Sequence, residues 1–158
     1  MSLLFKIMAI AGPAGFGGVM LAIGIILGGH WKSLPPADFL DSFGRYGGFI
    51  QRAIPLVVIP TLIGVAGMLW IDWSNAATRN LWLAEAGCIA AILVLTMAYF
   101  VPSNDAFGAK AVAADQVSAK LDTWLFVHNF RIALAFAASS LGVWAISRRK
   151  ETLMRSRS

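Results

Sequence analysis

Charge is scarce in this sequence. Of its 158 residues, 8 are acidic and 13 basic, so 13% carry charge, against about 25% in an ordinary soluble domain. So few ionic groups cannot clothe a globule in water, and a soluble fold is excluded. Cysteine occurs once, at Cys88, which removes intrachain disulfides and every cysteine-pair metal site. Among apolar neighbours it reads as a small packing residue. The sequence has no HxxxH, no ExxH and no glycine-rich phosphate loop following a strand, so a recognisable metal or nucleotide motif is lacking and no cofactor is implied. The net charge of +5 is no nucleic-acid signal, because no aromatic residue interleaves the basic run at the C-terminus.

What is present is apolar: 58% hydrophobic residues and a mean hydropathy of +0.72. Four segments, 7–29, 53–71, 80–101 and 125–146, each approach the roughly 20 residues that cross about 30 Å of hydrocarbon. The expected fold is all-α, one four-transmembrane-helix bundle over 1–158 with a basic tail at 148–158. The first segment reads as a retained helix rather than a signal peptide. Only Lys6 precedes it, it outruns a typical signal core, and no small-x-small site follows before His30-Trp31-Lys32. Four spans put both termini on one side. Arg148, Arg149, Lys150, Arg155 and Arg157 make that side cytoplasmic by the positive-inside rule, with the tail lying on anionic lipid headgroups. In a bacterium this is a multi-pass inner-membrane protein whose first and third connections face outward.

Those two connections are the long ones. The first, about 30–52, is expected to turn at Leu34-Pro35-Pro36-Ala37-Asp38 and to hold a short interfacial helix from Pro36 or Ala37. Pro55 then serves as a first-turn proline, and Pro60 lies deeper and kinks the second span. The third, about 102–123, holds an amphipathic piece near 109–121. The second, Asp72 to Arg79, is a tight turn with Asn75 as a cap. Gly24 and Gly28 in the first span have the small-xxx-small spacing that lets helices approach closely.

Loop length places a site at the outer face. Trp124, His128 and Arg131 share one helix face as the last span begins, and ionisable groups inside a membrane are functional candidates by default. Asn104 and Asp105 close the third span at the same depth, so the four polar groups can converge. Arg131 either snorkels to the headgroups or pairs with Asp105. His128 is open to three roles: structural hydrogen bonding, proton transfer or substrate binding, and metal ligation. Bis-histidine haem would need His30 and His128 at matching depth. His30, Gln51 and Arg52 come from the same outer level, and Asn129 adjoins His128. Glu85 lies near the inner end of the third span and pairs with Arg79 or serves a proton path.

The pattern Val101-Pro102-Ser103-Asn104-Asp105-Ala106, followed by Trp124-x-x-x-His128-Asn129-x-Arg131, resembles the anthrone oxygenase-like family of small four-helix membrane proteins. Leu34-Pro35-Pro36-Ala37 and Ile54-Pro55 extend the resemblance over nearly the whole chain. Ser103 departs from it, standing where a bulky apolar residue is common. The resemblance implies a cofactor-independent oxygenase of a phenolic or quinone-like substrate. His128 would be the general base, with Asn104 and Arg131 steadying the oxyanion. Asp105, Trp124, Asn129, His30 and Gln51 would contact the substrate. The implied partners are membrane lipids, an aromatic or quinone-like small molecule, and a homo-oligomer or larger membrane complex. A non-catalytic accessory subunit is the alternative, using lipid-facing Trp70, Trp82 and Phe136 for contacts. A small-molecule transporter is a weaker third reading, since no second acid matches the depth of Glu85.

Overall fold

A computed structural model describes residues 2–155, except the side chains of 49–51, 53 and 150–155. Gln51 is among the excepted side chains. Four helices make up the fold: α1 (Ser2–Ser33), α2 (Pro36–Ile71), α3 (Ala76–Gly108) and α4 (Ala114–Arg155). All four carry a stretch long and apolar enough to cross a membrane. The chain is therefore a multi-pass membrane protein, all-helical among the described residues. α1 packs along α2 and α4, α3 packs along α4, and α2 closes onto the last turns of α3.

The helices run further than the apolar segments do. The expected 30–52 connection is only the link Leu34-Pro35, because residues 36–53 continue α2. Proline 36 starts that helix, its missing N–H costing nothing in a first turn. Phe39, Leu40 and Phe43 recur at helical spacing and bury against Trp31 of α1 and Phe107 of α3. The helix expected from Pro36 or Ala37 is therefore present, but aromatic packing makes it continuous with the second span instead of short and separate. Pro55 and Pro60 both lie inside α2, so Pro55 is not a first-turn proline. The third connection shrinks similarly, to residues 109–113. The amphipathic piece becomes the opening turns of α4, burying Val117, Leu121 and Trp124. At 36 and 42 residues, α2 and α4 reach about 54 and 63 Å, well beyond the hydrocarbon.

At the opposite end the turn between α2 and α3 forms as expected. The Asn75 side chain accepts from the N–H groups of Ala77 and Thr78 at 3.2 and 3.5 Å, satisfying donors at the start of α3. The start of α1 and the later turns of α4 meet here: Ile146 of α4 shares an apolar groove with Leu3 and Lys6, and Arg149 meets Asp72 at 3.0 Å. Trp82 differs from expectation. It is 0% exposed and donates its indole N–H to Asp72 at 2.9 Å, so it is core, whereas Trp70 and Phe136 are exposed. Glu85 does not reach Arg79, whose guanidinium bonds the Trp73 carbonyl. The Glu85 carboxyl is fully buried against the α4 backbone at Gly142, with no hydrogen-bond partner for either oxygen.

Helix approach is set by glycine. A methyl on Gly64 would lie 2.3 Å from the Ala9 nitrogen, and one on Gly12 would lie 3.0 Å from the Thr61 Cα. α1 and α2 therefore touch backbone to backbone. Gly24 and Gly28 perform the predicted seam role toward α4. Their added methyls would fall 3.2 Å from His128 Cδ2 and 2.6 Å from Leu125 Cδ2.

Candidate functional site

Two helices depart from regular winding at the same level of the bundle. Residues Ile23–Leu27 of α1 and Thr96–Phe100 of α3 are π-helical turns. Such turns are rare and often mark functional sites. The second precedes Pro102, which has no N–H to offer the preceding turn and crowds its carbonyl. Widening there lets the Val101 N–H reach the Thr96 carbonyl. Both wide turns face His128 and Arg131 of α4.

His128 is completely buried. Its Nε2 lies 2.7 Å from the Met20 carbonyl, three residues before the α1 wide turn. A carbonyl only accepts, so Nε2 carries the proton and Nδ1 is left as an acceptor. Arg131 Nη2, which can only donate, fills that role at 2.6 Å. One tautomer is thus assigned from the partners, and both ring nitrogens are used. The indole of Trp124 stacks on the imidazole at 4.8 Å and 13°. The helical i, i+4 spacing places these rings one turn apart on one face.

Arg131 is 5% exposed. It neither snorkels nor pairs with Asp105. Its guanidinium lies 3.2 Å above the centroid of Phe100, a cation–π contact. Nη1 reaches Thr96 Oγ1 at 3.4 Å, and that hydroxyl itself donates to the Ile92 carbonyl. Nε has no partner, and no carboxylate compensates the charge among the described residues. A buried cation without an anion is expensive, and this one lines a cavity.

The cavity, of about 310 Å³, lies at the end of the bundle holding the 34–35 and 109–113 links and is within the size range of small-molecule sites. Met20, Ile23, Trp31, Phe43 and Ile54 supply apolar wall. Gly44, Gly47, Gly48 and Gly108 remove side-chain bulk from another part of the lining. The polar lining is Asn104, Asp105 and Arg131, with the indole of Trp124. Asn104 Oδ1 accepts from Trp124 Nε1 at 2.9 Å, so the asparagine holds the ring that covers His128. Two ion pairs tie the helices together at this end. Lys32 of α1 meets Asp122 of α4 at 2.7 Å, and Lys110 meets Asp41 of α2. Lys110 beside it holds the Asp41 carboxyl below the usual carboxylate range.

The structure thus brings Asn104, Asp105, Trp124 and Arg131 to one cavity. His128 stands behind Arg131 and does not line it. His30 and Asn129 are exposed on the helix surface, outside the cavity lining. Arg52 is also exposed. Among the described residues, no three His, Cys, Asp or Glu side chains gather to hold a metal ion. Sequence reasoning missed Phe100, Thr96 and the glycine wall. Gly44-x-x-Gly47-Gly48 was a readable signal, but residues 44–48 fell in an expected loop. The contacts of Phe100 and Thr96 with Arg131 depend on how α3 winds, which no local pattern announces.

A family model described as anthrone oxygenase matches residues 46–141, more than half of the chain and including every polar residue of the cavity. No curated protein and no solved structure matches the chain.

Proposed function

The chain belongs to the anthrone oxygenase family, and from that premise we propose that it is a membrane-embedded oxygenase of a planar, phenolic carbon acid. The observation that carries this reading is Arg131: a buried cation, without a carboxylate partner, lining a cavity walled by aromatic rings and glycines. A flat polycyclic ligand suits such walls, and an oxygen that becomes negative during reaction suits Arg131. Its guanidinium is held in advance by His128, Phe100 and Thr96. Donors fixed before charge develops cost no reorganisation during the reaction.

The chemistry balances with dioxygen as co-substrate. Loss of a proton from the methylene carbon of an anthrone leaves an enolate whose oxygen sits at Arg131. The carbon then gives its electron pair to dioxygen, forming a carbon–oxygen bond and a peroxide. The first proton returns to the peroxide, and loss of the second methylene proton with cleavage of the O–O bond releases water and leaves the quinone carbonyl. One dioxygen is consumed per quinone and water formed. By this reading the carbanion itself reduces dioxygen, without a bound cofactor. The basic tail favours cytoplasmic termini and an outward-facing cavity in a cell inner membrane.

Purified protein in detergent, given a dihydroxyanthrone and dioxygen, should form the anthraquinone faster than buffer alone with one dioxygen per product. Quenching of tryptophan fluorescence by the anthraquinone should report occupancy beside Trp31 and Trp124. Arg131→Met should abolish both signals. Wild-type protein that neither binds the anthraquinone nor outpaces spontaneous oxidation would overturn the reading.

A further inference from the structure

We propose that Asp105 removes the substrate proton, and that His128 is a positioning residue that holds Arg131 rather than the base. This inference rests on the oxygenase reading of the cavity. A general base needs a free lone pair within reach of the ligand, and His128 offers none. Its Nδ1 accepts from Arg131, its Nε2–H donates to the Met20 carbonyl, and Trp124 stacks on its face. Taking a proton at Nδ1 would set an imidazolium against the Arg131 guanidinium, 2.6 Å away. The ring is also absent from the cavity lining.

The cavity's own side chains leave one alternative. Arg131 donates only, the indole of Trp124 donates only, and Asn104 is not a base and spends its oxygen on Trp124. Among the described residues, Asp105 is the single carboxylate in the lining. It has no hydrogen-bond or ion-pair partner for its carboxylate among the described residues, whereas Asp41 and Asp122 at the same end are tied to Lys110 and Lys32. Base and oxyanion donor then come from different helices, Asp105 from α3 and Arg131 from α4. A carboxylate can take a proton from a carbon acid when a prepared donor receives the enolate oxygen as its charge develops. The bond broken is the methylene C–H. Its proton goes to the Asp105 carboxylate, and its electron pair moves into the enolate beside Arg131.

Proton removal can be read without oxygenation. The full-length protein is incubated anaerobically with a dihydroxyanthrone in deuterated buffer, and loss of the methylene proton signal is followed by NMR. The same preparations are tested for anthraquinone binding and aerobic turnover. Asp105→Asn should bind the anthraquinone within about twofold of wild type, yet lose about 100-fold or more of the enzymatic exchange. His128→Asn keeps an acceptor for Arg131 but no titrating ring. It should lose no more than about tenfold, carried by KM rather than kcat. His128→Ala, which leaves Arg131 unheld, should lose more than His128→Asn in both constants. Exchange at the wild-type rate in Asp105→Asn overturns the inference while leaving the oxygenase reading intact. So does a silent His128→Asn that still binds the anthraquinone. Wild-type protein that neither exchanges nor oxygenates overturns both.

Discussion

Gly64→Ala is the sharpest test of how the bundle is held together. The added methyl would sit 2.3 Å from the Ala9 nitrogen, 2.6 Å from the Met8 carbonyl carbon and 2.7 Å from Met8 Cβ. Ordinary contact needs about 3.5 Å, and two of the three obstacles are backbone that cannot rotate away. α1 and α2 must part by about 1 Å along the seam. A gap of that size forfeits a quarter to a half of each dispersion contact, and overpacking of this kind costs about 1–3 kcal/mol. Gly18→Ala is the matched control, since its methyl would meet nothing within 4 Å. It should leave stability unchanged or raise it by up to about 1 kcal/mol, the helix preference of alanine over glycine. Unfolding in mixed detergent micelles, titrated with a denaturing detergent and followed by circular dichroism, measures both. The packing argument is refuted if the two variants differ by less than about 0.5 kcal/mol, the ordinary scatter of neutral substitutions.

Three further outcomes follow from the same physics. Glu85→Met should stabilise the protein by about 1–3 kcal/mol, the cost of a buried polar group left without hydrogen bonds; destabilisation in the same assay would mean that the carboxyl has a partner or a task. Trp82→Phe removes the indole bond to the buried Asp72 and should cost about 1.5–3 kcal/mol, as expected for a hydrogen bond to a charged group; a change below about 0.5 kcal/mol would count against that bond. Lys110 lowers the Asp41 pKa, so this pair supports the folded state above the usual carboxylate range and is lost as pH falls through the lowered folded value. Carboxyl-carbon NMR should show Asp41 titrating below a reference aspartate, and Lys110→Ala should move it upward; an unmoved titration would dismiss the ion pair.

His128 shows where sequence reading reached its limit. Spacing of four and three residues from Trp124 to His128 to Arg131 correctly put the three on one face. It could not tell which of them meets the ligand. That depended on the Met20 carbonyl being turned toward His128 and on Phe100 lying beneath the guanidinium, and both come from other helices. The expected Arg131–Asp105 pair failed for the same reason. A chemically sensible partner at matching depth is not a neighbour unless the helices are rotated to make it one.

Composition and hydropathy by themselves determined an all-helical membrane bundle, among the described residues, with four helices long and apolar enough to cross. In hydrocarbon, every backbone polar group must be satisfied within the chain, which leaves helices as the available structure for such segments. Local chemistry was equally sufficient for the Asn75 cap and for the small-residue seam at Gly24 and Gly28. The tertiary structure decided that the helical stretches after Pro36 and before Trp124 join the neighbouring spans instead of standing apart. Phe39, Phe43, Val117 and Leu121 carry helical order into stretches that read as connections, because burial against Trp31, Phe107 and Trp124 outweighs local turn preference. It also decided the site. A guanidinium without a carboxylate partner among the described residues becomes a candidate anion anchor only when Phe100, Thr96 and His128 hold it at the lining of a cavity, and that arrangement depends on the relative rotation of three helices.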